Sequence, residues 1–170
     1  HKRNEVSFDK LEIFEGVLCP GFINAHCHLE LSHLKGITEE GKGFLNFVET
    51  VKQRNNFCKE EIVDAIAESE KQMIKNGIVG VGDICNTTDT LFQKKKNNLK
   101  YYNFIEVFQV KEDKIDETIE KSKTIKQAFR KKNLQATIVP HAPYSVPPRL
   151  MKKITNLLDE KDELICIHMQ

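Results

Sequence analysis

The sequence predicts an α/β fold: a partial (β/α)8 barrel of the TIM type, comprising about its first five strand–helix units. Three observations carry that expectation. Five short apolar segments alternate with helical segments, and strands that read as continuous apolar runs between helices belong to parallel sheets. No Gly-x-Gly-x-x-Gly follows any of them, which weighs against a doubly wound dinucleotide-binding sheet. Polar residues (His26 and His28, Asp83, Glu106, His141, His168) stand at or near the C-terminal end of each strand, where barrel enzymes place their chemistry. A complete barrel takes about 250 residues, so a chain of 170 is expected to supply part of one.

Residues 6–18 read as strand, turn and strand, through Val6–Phe8, Leu11–Phe14 and Val17-Leu18. Pro20-Gly21 is a turn, and residues 22–28 form the first barrel-type strand. Gly36, Gly41 and Gly43 mark a loop within residues 29–58, after which Phe44, Leu45, Phe47, Val48 and Val51 take helical spacing. This excursion suits a loop lining a pocket, or equally a surface helix packed outside the barrel. An amphipathic helix over Glu60–Asn76 buries Ile62, Ala65, Ile66, Met73 and Ile74 and stops at Gly77.

Residues 78–84 are the second strand. Thr87 or Thr88 can cap a short helix through Leu91-Phe92, whose lysine run Lys94-Lys95-Lys96 reads as a solvated helix end. Aromatic and β-branched residues make Tyr101–Phe108 the third strand. A long charged helix follows over about Glu112–Lys131, with Ile115, Ile119, Ile125 and Phe129 as its inner stripe. Ala136–Val139 is the fourth strand, and Ser145 is placed to cap a helix over Pro147–Asp159. Leu164–Ile167 is the fifth strand, leading into His168.

Composition narrows the function classes. Apolar residues make up 39% and charged residues 30%, values of a soluble globular chain. A net charge of +1 gives no reason to expect nucleic acid or an anionic membrane as partner. No apolar run approaches the roughly 18 residues of a membrane span, and the N-terminus lacks a secretion signal. It also lacks an initiator methionine, so residues are expected upstream. Cys19, Cys27, Cys58, Cys85 and Cys166 are odd in number, scattered and free of any C-x-x-C pair, which fits a reducing cytoplasm.

The chemistry centres on His26 and His28. Residues i and i+2 of a strand face the same side, so both imidazoles project together while Cys27 points away. Paired imidazoles suit zinc, iron or nickel. Taken by itself, the spacing fits equally well a partly exposed strand end that holds nothing.

The surrounding stretch from Pro20 to Gly36, PGFINAHCHLELSHLKG, resembles the end of the first barrel strand in the amidohydrolase superfamily, in its cytosine deaminase and chlorohydrolase (ATZ/TRZ-like) branch. Two further stretches follow in that family's order. Ile138–Ser145, containing PHAPYS, is similar to the segment ending the fourth strand. Cys166–Gln170, containing CIHMQ, is similar to the HxxE segment after the fifth. The resemblance covers nearly the whole chain.

It implies that His26, His28 and His168 are ligands of one divalent metal ion, zinc or else iron, that activates water by lowering its pKa toward about 7. It implies that His141 contacts the substrate, or polarises the group under attack, by hydrogen bond rather than binding metal. Glu30, Asp83 and Glu106 are weaker candidates: Asp83 and Glu106 sit where they can orient the histidines, and capping a helix or pairing with a lysine is an equal alternative for them. His33 is assigned to the loop. No lysine occupies a bridging position on strand four, which disfavours dinuclear members of the family. The acid/base glutamate is expected just after Gln170, with a further histidine and aspartate beyond it.

By the same resemblance, residues 1–20 are the remnant of a small N-terminal β-domain and its linker, and residues 21–170 the N-terminal part of a hydrolase barrel. The implied activity is hydrolytic deamination of an amino-substituted heterocycle, such as a purine, pyrimidine or nucleoside derivative. The 170 residues alone, lacking a complete site, are expected to be inactive. Hydrolysis of a C–Cl bond or a cyclic amide on the same scaffold stands as an alternative, as does a non-catalytic fragment that holds no metal. The expected partner is a small heterocyclic molecule, with homo-oligomer formation left open.

Overall fold

A computed structural model describes residues 12–37, 41–158 and 163–169. Four strands form one sheet: β1 (Phe22–Cys27), β2 (Ile78–Cys85), β3 (Lys100–Val107) and β4 (Gln135–Pro140). All neighbours are parallel, and their spatial order is their chain order. An open doubly wound sheet reverses its order at a switch point. No reversal occurs here, so each crossover lays the next strand on the same side of the last, as in a barrel wall.

The crossovers carry helices α1 (Gly43–Lys52), α2 (Lys59–Lys75), α3 (Leu91–Lys94) and α4 (Ile115–Arg130), and α5 (Pro148–Thr155) follows β4. Gly77 takes φ +78° just after α2, the left-handed conformation that ends helices cheaply. Helix α2 runs as the periodicity predicts, with Ile66 wholly buried, although Ile74 at its end stays largely exposed.

Alternation along the strands gives the sheet two unlike faces. Val81, Tyr101, Ile105, Val107, Ala136 and Ile138 pack toward the helices, against Ile66, Ile115, Ile119, Phe129, Leu150 and Ile154. The opposite face holds a small apolar cluster of Ile84, Phe104 and Val139, flanked by Tyr102 and Cys166. The same parity that sends Ile84, Phe104 and Val139 to this inner face sends Glu106 and His141 there. Glu106 and His141 therefore share one side of the sheet.

Several expectations change. Residues 12–20 form no strand: Leu18 is fully exposed, and no ladder partner stands beside it among the described residues. The strand expected at residues 6–8 and the start of the next lie outside the described residues. Residues 163–169 join no ladder, so among the described residues the sheet has four strands, not five. Leu164 donates its N–H to Tyr102 Oη at 2.9 Å, and His168 donates its own to His141 O at 2.8 Å. Leu164 and Ile165 are 56% and 57% exposed, so this segment lacks the two-sided cover that makes a central strand.

The excursion after β1 breaks into a 3-10 turn (Leu29–Leu34), α1 and a second turn (Gln53–Asn56). Leu29 and Leu34 bury, while Leu45 and Phe47 on α1 remain exposed. Thr90, not Thr87 or Thr88, precedes α3. Ser145 caps no helix: α5 begins after Pro147, and the Ser145 hydroxyl lies instead beside His141.

Candidate metal centre

β1 ends in an irregular pairing with β2, whose register shifts between Asn24 and Cys27. From there His26 and His28 project to one side, with ring centroids 5.1 Å apart. The ring of His168 stands 4.8 Å from that of His26 and 5.6 Å from that of His28. One nitrogen from each of the three lies within 4.8 Å of the others. Residues 26 and 168 lie at opposite ends of the chain, and the sheet brings them to one place.

Cys27 faces the other way, into the apolar layer against α2, where burial pushes its thiol up to about 12. Its sulfur is therefore a neutral hydrophobe. Burial, the charges of the two neighbouring imidazoles and, last, His141 push His28 down to about 4, against an opposing pull from Asp83. Burial and then His168 lower His26 as well. Neutral rings keep a lone pair for a metal, which a protonated ring cannot offer.

His168 has a defined tautomer. Its Nδ1 lies 3.0 Å from the carbonyl oxygen of His141, which can only accept. Nδ1 therefore carries the proton, and the lone pair is on Nε2. Glu106 Oε1 stands 3.3 Å from the same Nδ1 and takes no hydrogen bond among the described residues, while Oε2 accepts from Asn86 Nδ2 at 3.2 Å. Burial raises the pKa of Glu106 against the pull of Asn86 and His168.

His141 ends β4, its N–H bonded to Val107 O at 3.0 Å. Its Nδ1 is 2.6 Å from Ser145 Oγ, which is also 3.1 Å from Ala142 O. The hydroxyl orients the ring, whose centroid is 5.0 Å from that of His168. Phe108 and Tyr144, both exposed, stand 5.5 and 5.8 Å from the His141 ring and form an aromatic rim. Glu106, His141 and His168 make a second group whose ligand atoms lie within 4.8 Å. With Nδ1 of His168 protonated and Nε2 its only lone pair, that ring cannot serve two ions at once.

Asp83 and Lys94 depart from expectation. Asp83 points to the helix face and reaches no imidazole; its oxygens take the N–H of Leu29 at 2.8 Å and the ammonium of Lys94. Lys94 is not a solvated helix end, being 1% exposed. Burial opposes its charge, but Cys85 and Asp83 outweigh that and keep its pKa above the ordinary lysine value. A signal existed: a carboxylate within the apolar run of β2 requires a cation or donor, and Lys94 follows Leu91 by one helical turn.

Glu30 serves structure. Its buried carboxylate accepts from Asn86 N, Thr87 N and Thr87 Oγ1 at 3.0, 2.9 and 2.8 Å, and from Arg54 at 3.3 Å, tying the turn after β1 to the loop after β2. His33 packs edge-on to Phe57 and joins neither histidine group.

The amidohydrolase family model matches residues 17–170. The chain belongs to the amidohydrolase family. This amidohydrolase is 30% identical over 166 residues to an adenosine deaminase of Helicobacter pylori, a match spanning 94% of this chain and 39% of that protein. It is 26% identical over 175 residues to a 5'-deoxyadenosine deaminase of Methanococcus maripaludis, across 98% of this chain and 42% of the relative. The chain thus spans about two fifths of the length of these relatives. Among solved structures, Helicobacter pylori aminofutalosine deaminase with methylthio-coformycin superposes at a TM-score of 0.71, with 27% identity over 88% of this chain and 37% of its own. Atrazine chlorohydrolase from Arthrobacter aurescens, complexed with zinc and atraton, gives a TM-score of 0.72 at 14% identity, over 89% of this chain and 41% of its own. That second likeness is one of fold.

Proposed function

We propose that this chain is the N-terminal part of a metal-dependent deaminase that releases ammonia from an adenosine-like nucleoside. The observation that carries the reading is the meeting of His26, His28 and His168. Three imidazoles, one held by a backbone carbonyl in the tautomer that leaves Nε2 free, fit the donor set of a catalytic zinc, which takes about three protein ligands. Such an ion, when bound, supplies Lewis-acid activation of water at neutral pH.

The chain's own residues have separate tasks. His26 and His28 would hold the ion from the end of β1, and His168 from beyond β4. Glu106 Oε1, 3.3 Å from Nδ1 of His168, lies beside the N–H that His141 O accepts and favours that tautomer electrostatically. His141, turned by Ser145, presents its outer nitrogen to the substrate as a hydrogen-bonding partner. Phe108 and Tyr144 offer flat apolar surface to a heterocycle beside it.

In this reading residues 21–170 open the hydrolase barrel and residues 1–20 belong to a preceding β-domain and linker. The deaminase names of the sequence relatives support nitrogen rather than chlorine as the leaving group, and adenine nucleosides as the class. The described cysteines are all free thiols, which favours a reducing compartment. No described helix is long and apolar enough to cross a membrane.

The test is ammonia release by the zinc-loaded full-length protein from adenosine, 5'-deoxyadenosine and 5'-methylthioadenosine, with atrazine as the chlorine-bearing comparison. Turnover on one or more nucleosides is expected. Silence on all three, or chloride release alone, would end the deaminase reading.

A further inference from the structure

A charge inside an apolar layer has to be answered by another charge or by hydrogen bonds. Asp83 and Lys94 answer each other, both fully buried on the helix side of the sheet. The ammonium of Lys94 also donates to Asn103 Oδ1 at 2.6 Å, and Asn103 Nδ2 donates to Gln135 O at 2.7 Å. Cys85 Sγ lies 3.4 Å from the ammonium, and the rings of Tyr101 and Phe129 each stand 5.0 Å from it. Strands β2, β3 and β4 and the turn after β1 are thereby tied to this one cation, the turn through Asp83 and Leu29, β4 through Asn103.

Stability alone does not account for such a pair, since apolar replacement of both partners of a buried ion pair is often neutral or favourable. The place where Asp83 acts is more telling. Its Oδ1 holds the N–H of Leu29, the first amide after His28. There the backbone leaves the strand, with His28 at φ −117° and ψ 72°, and the β1–β2 ladder has already slipped. Cys27 pairs with Asp83 at the last point of register. At the histidine pair, then, a side chain from β2 does the work that ladder hydrogen bonds do elsewhere.

We propose that Asp83, clamped by Lys94, is a positioning residue for the metal centre: from behind the sheet it fixes the backbone that aims His26 and His28 at His168. The inference rests on reading those three histidines as metal ligands. Lys94 contributes by holding Oδ2, so that Oδ1 has one direction in which to accept.

Two double variants of the full-length protein isolate the tether. Both lose the ion pair: Asp83→Asn/Lys94→Met keeps an acceptor for Leu29 N–H, and Asp83→Leu/Lys94→Met has a side chain of similar size with none. Chelator competition should find zinc about 10–100-fold weaker in the Leu protein than in the Asn protein, the range for losing a residue that orients a ligand. The cobalt-substituted Leu protein should have altered visible absorption bands, while the two proteins melt at similar temperatures. Equal zinc affinities with superimposable cobalt spectra would overturn the proposal. So would failure of the Leu protein, or of both, to fold, because the carboxylate would then serve the fold itself. Wild-type protein that binds no zinc would remove the metal reading and this inference together, an outcome distinct from wild-type binding with no difference between variants.

Discussion

The Nδ1 nitrogen of His168 lies 3.0 Å from the backbone carbonyl of His141, with Glu106 Oε1 3.3 Å from the same atom. The carbonyl accepts the proton, the carboxyl oxygen stands beside it without a hydrogen bond of its own, and the ring is held with Nε2 free. Glu106→Gln tests that arrangement. Asn86 Nδ2 already donates to one Glu106 oxygen. A glutamine would give its carbonyl to Asn86 and turn its amide N–H toward the His168 N–H, donor against donor. We expect zinc bound about tenfold more weakly by the full-length variant, the low end for losing such an orienting partner, with little change in melting temperature. Unchanged affinity in a chelator competition would remove Glu106 from the site.

His141 and His168 stand 5.0 Å apart, yet different roles follow from their partners. His141 is held by a serine hydroxyl at the outer rim; His168 is held by a carbonyl beside the other two histidines. His141→Ala should therefore leave zinc content near that of wild type while lowering kcat by roughly 100-fold, the lower range for a group acting on the reacting centre. Metal analysis and turnover on one preparation separate the roles. Loss of zinc in His141→Ala would make it a ligand.

The sheet and its order were legible because apolar and β-branched runs at Ile78–Ile84, Tyr101–Val107 and Ala136–Val139 alternate with helices of clear 3.6 periodicity. The convergence of His26, His28 and His168 was legible from their places at or near strand ends in family order. Lys94 was not, because three lysines in a row look alike in sequence and only one of them faces Asp83. A lysine's polarity can be read from its name, but its partner is set by how α3 lies on β2 and β3. Ser145 was misassigned because Pro147 and Pro148 delay the helix start, freeing its hydroxyl for His141. The run Leu164–Ile167 has strand composition, but a ladder needs a register with its neighbour, and only two backbone N–H groups of residues 163–169 reach partners in or just after β3 and β4.

Removal of the ion supplies a third test. Dialysis of the full-length protein against a chelator should abolish ammonia release, and added zinc should restore it. His168→Ala, which leaves two of the three imidazoles, should lower bound zinc from about one ion per chain, the content of a mononuclear site, to a small fraction. Full activity in protein shown by elemental analysis to be metal-free would contradict the reading.

The closeness of β1 to β2 gives the last prediction. A Cβ built on Gly82 would stand 2.6 Å from the carbonyl oxygen of Ala25 and 3.0 Å from Phe104 Cε2. A backbone oxygen cannot rotate away, so alanine at 82 must push β1 off β2 at the residue before His26. Gly80, two residues earlier on the same face, offers a control: its Cβ would stand 2.9 Å from Ile23 Cδ1, the tip of a flexible side chain that can turn aside. Gly82→Ala should cost about 1–3 kcal/mol in urea unfolding, the usual range for overpacking, and should weaken zinc binding as well. Gly80→Ala should cost less and leave zinc affinity unchanged, because the displaced atom lies at the far end of β1 from the histidines. If Gly80→Ala proved the more damaging of the two, the tight contact at Ala25 would not be what sets the position of His26.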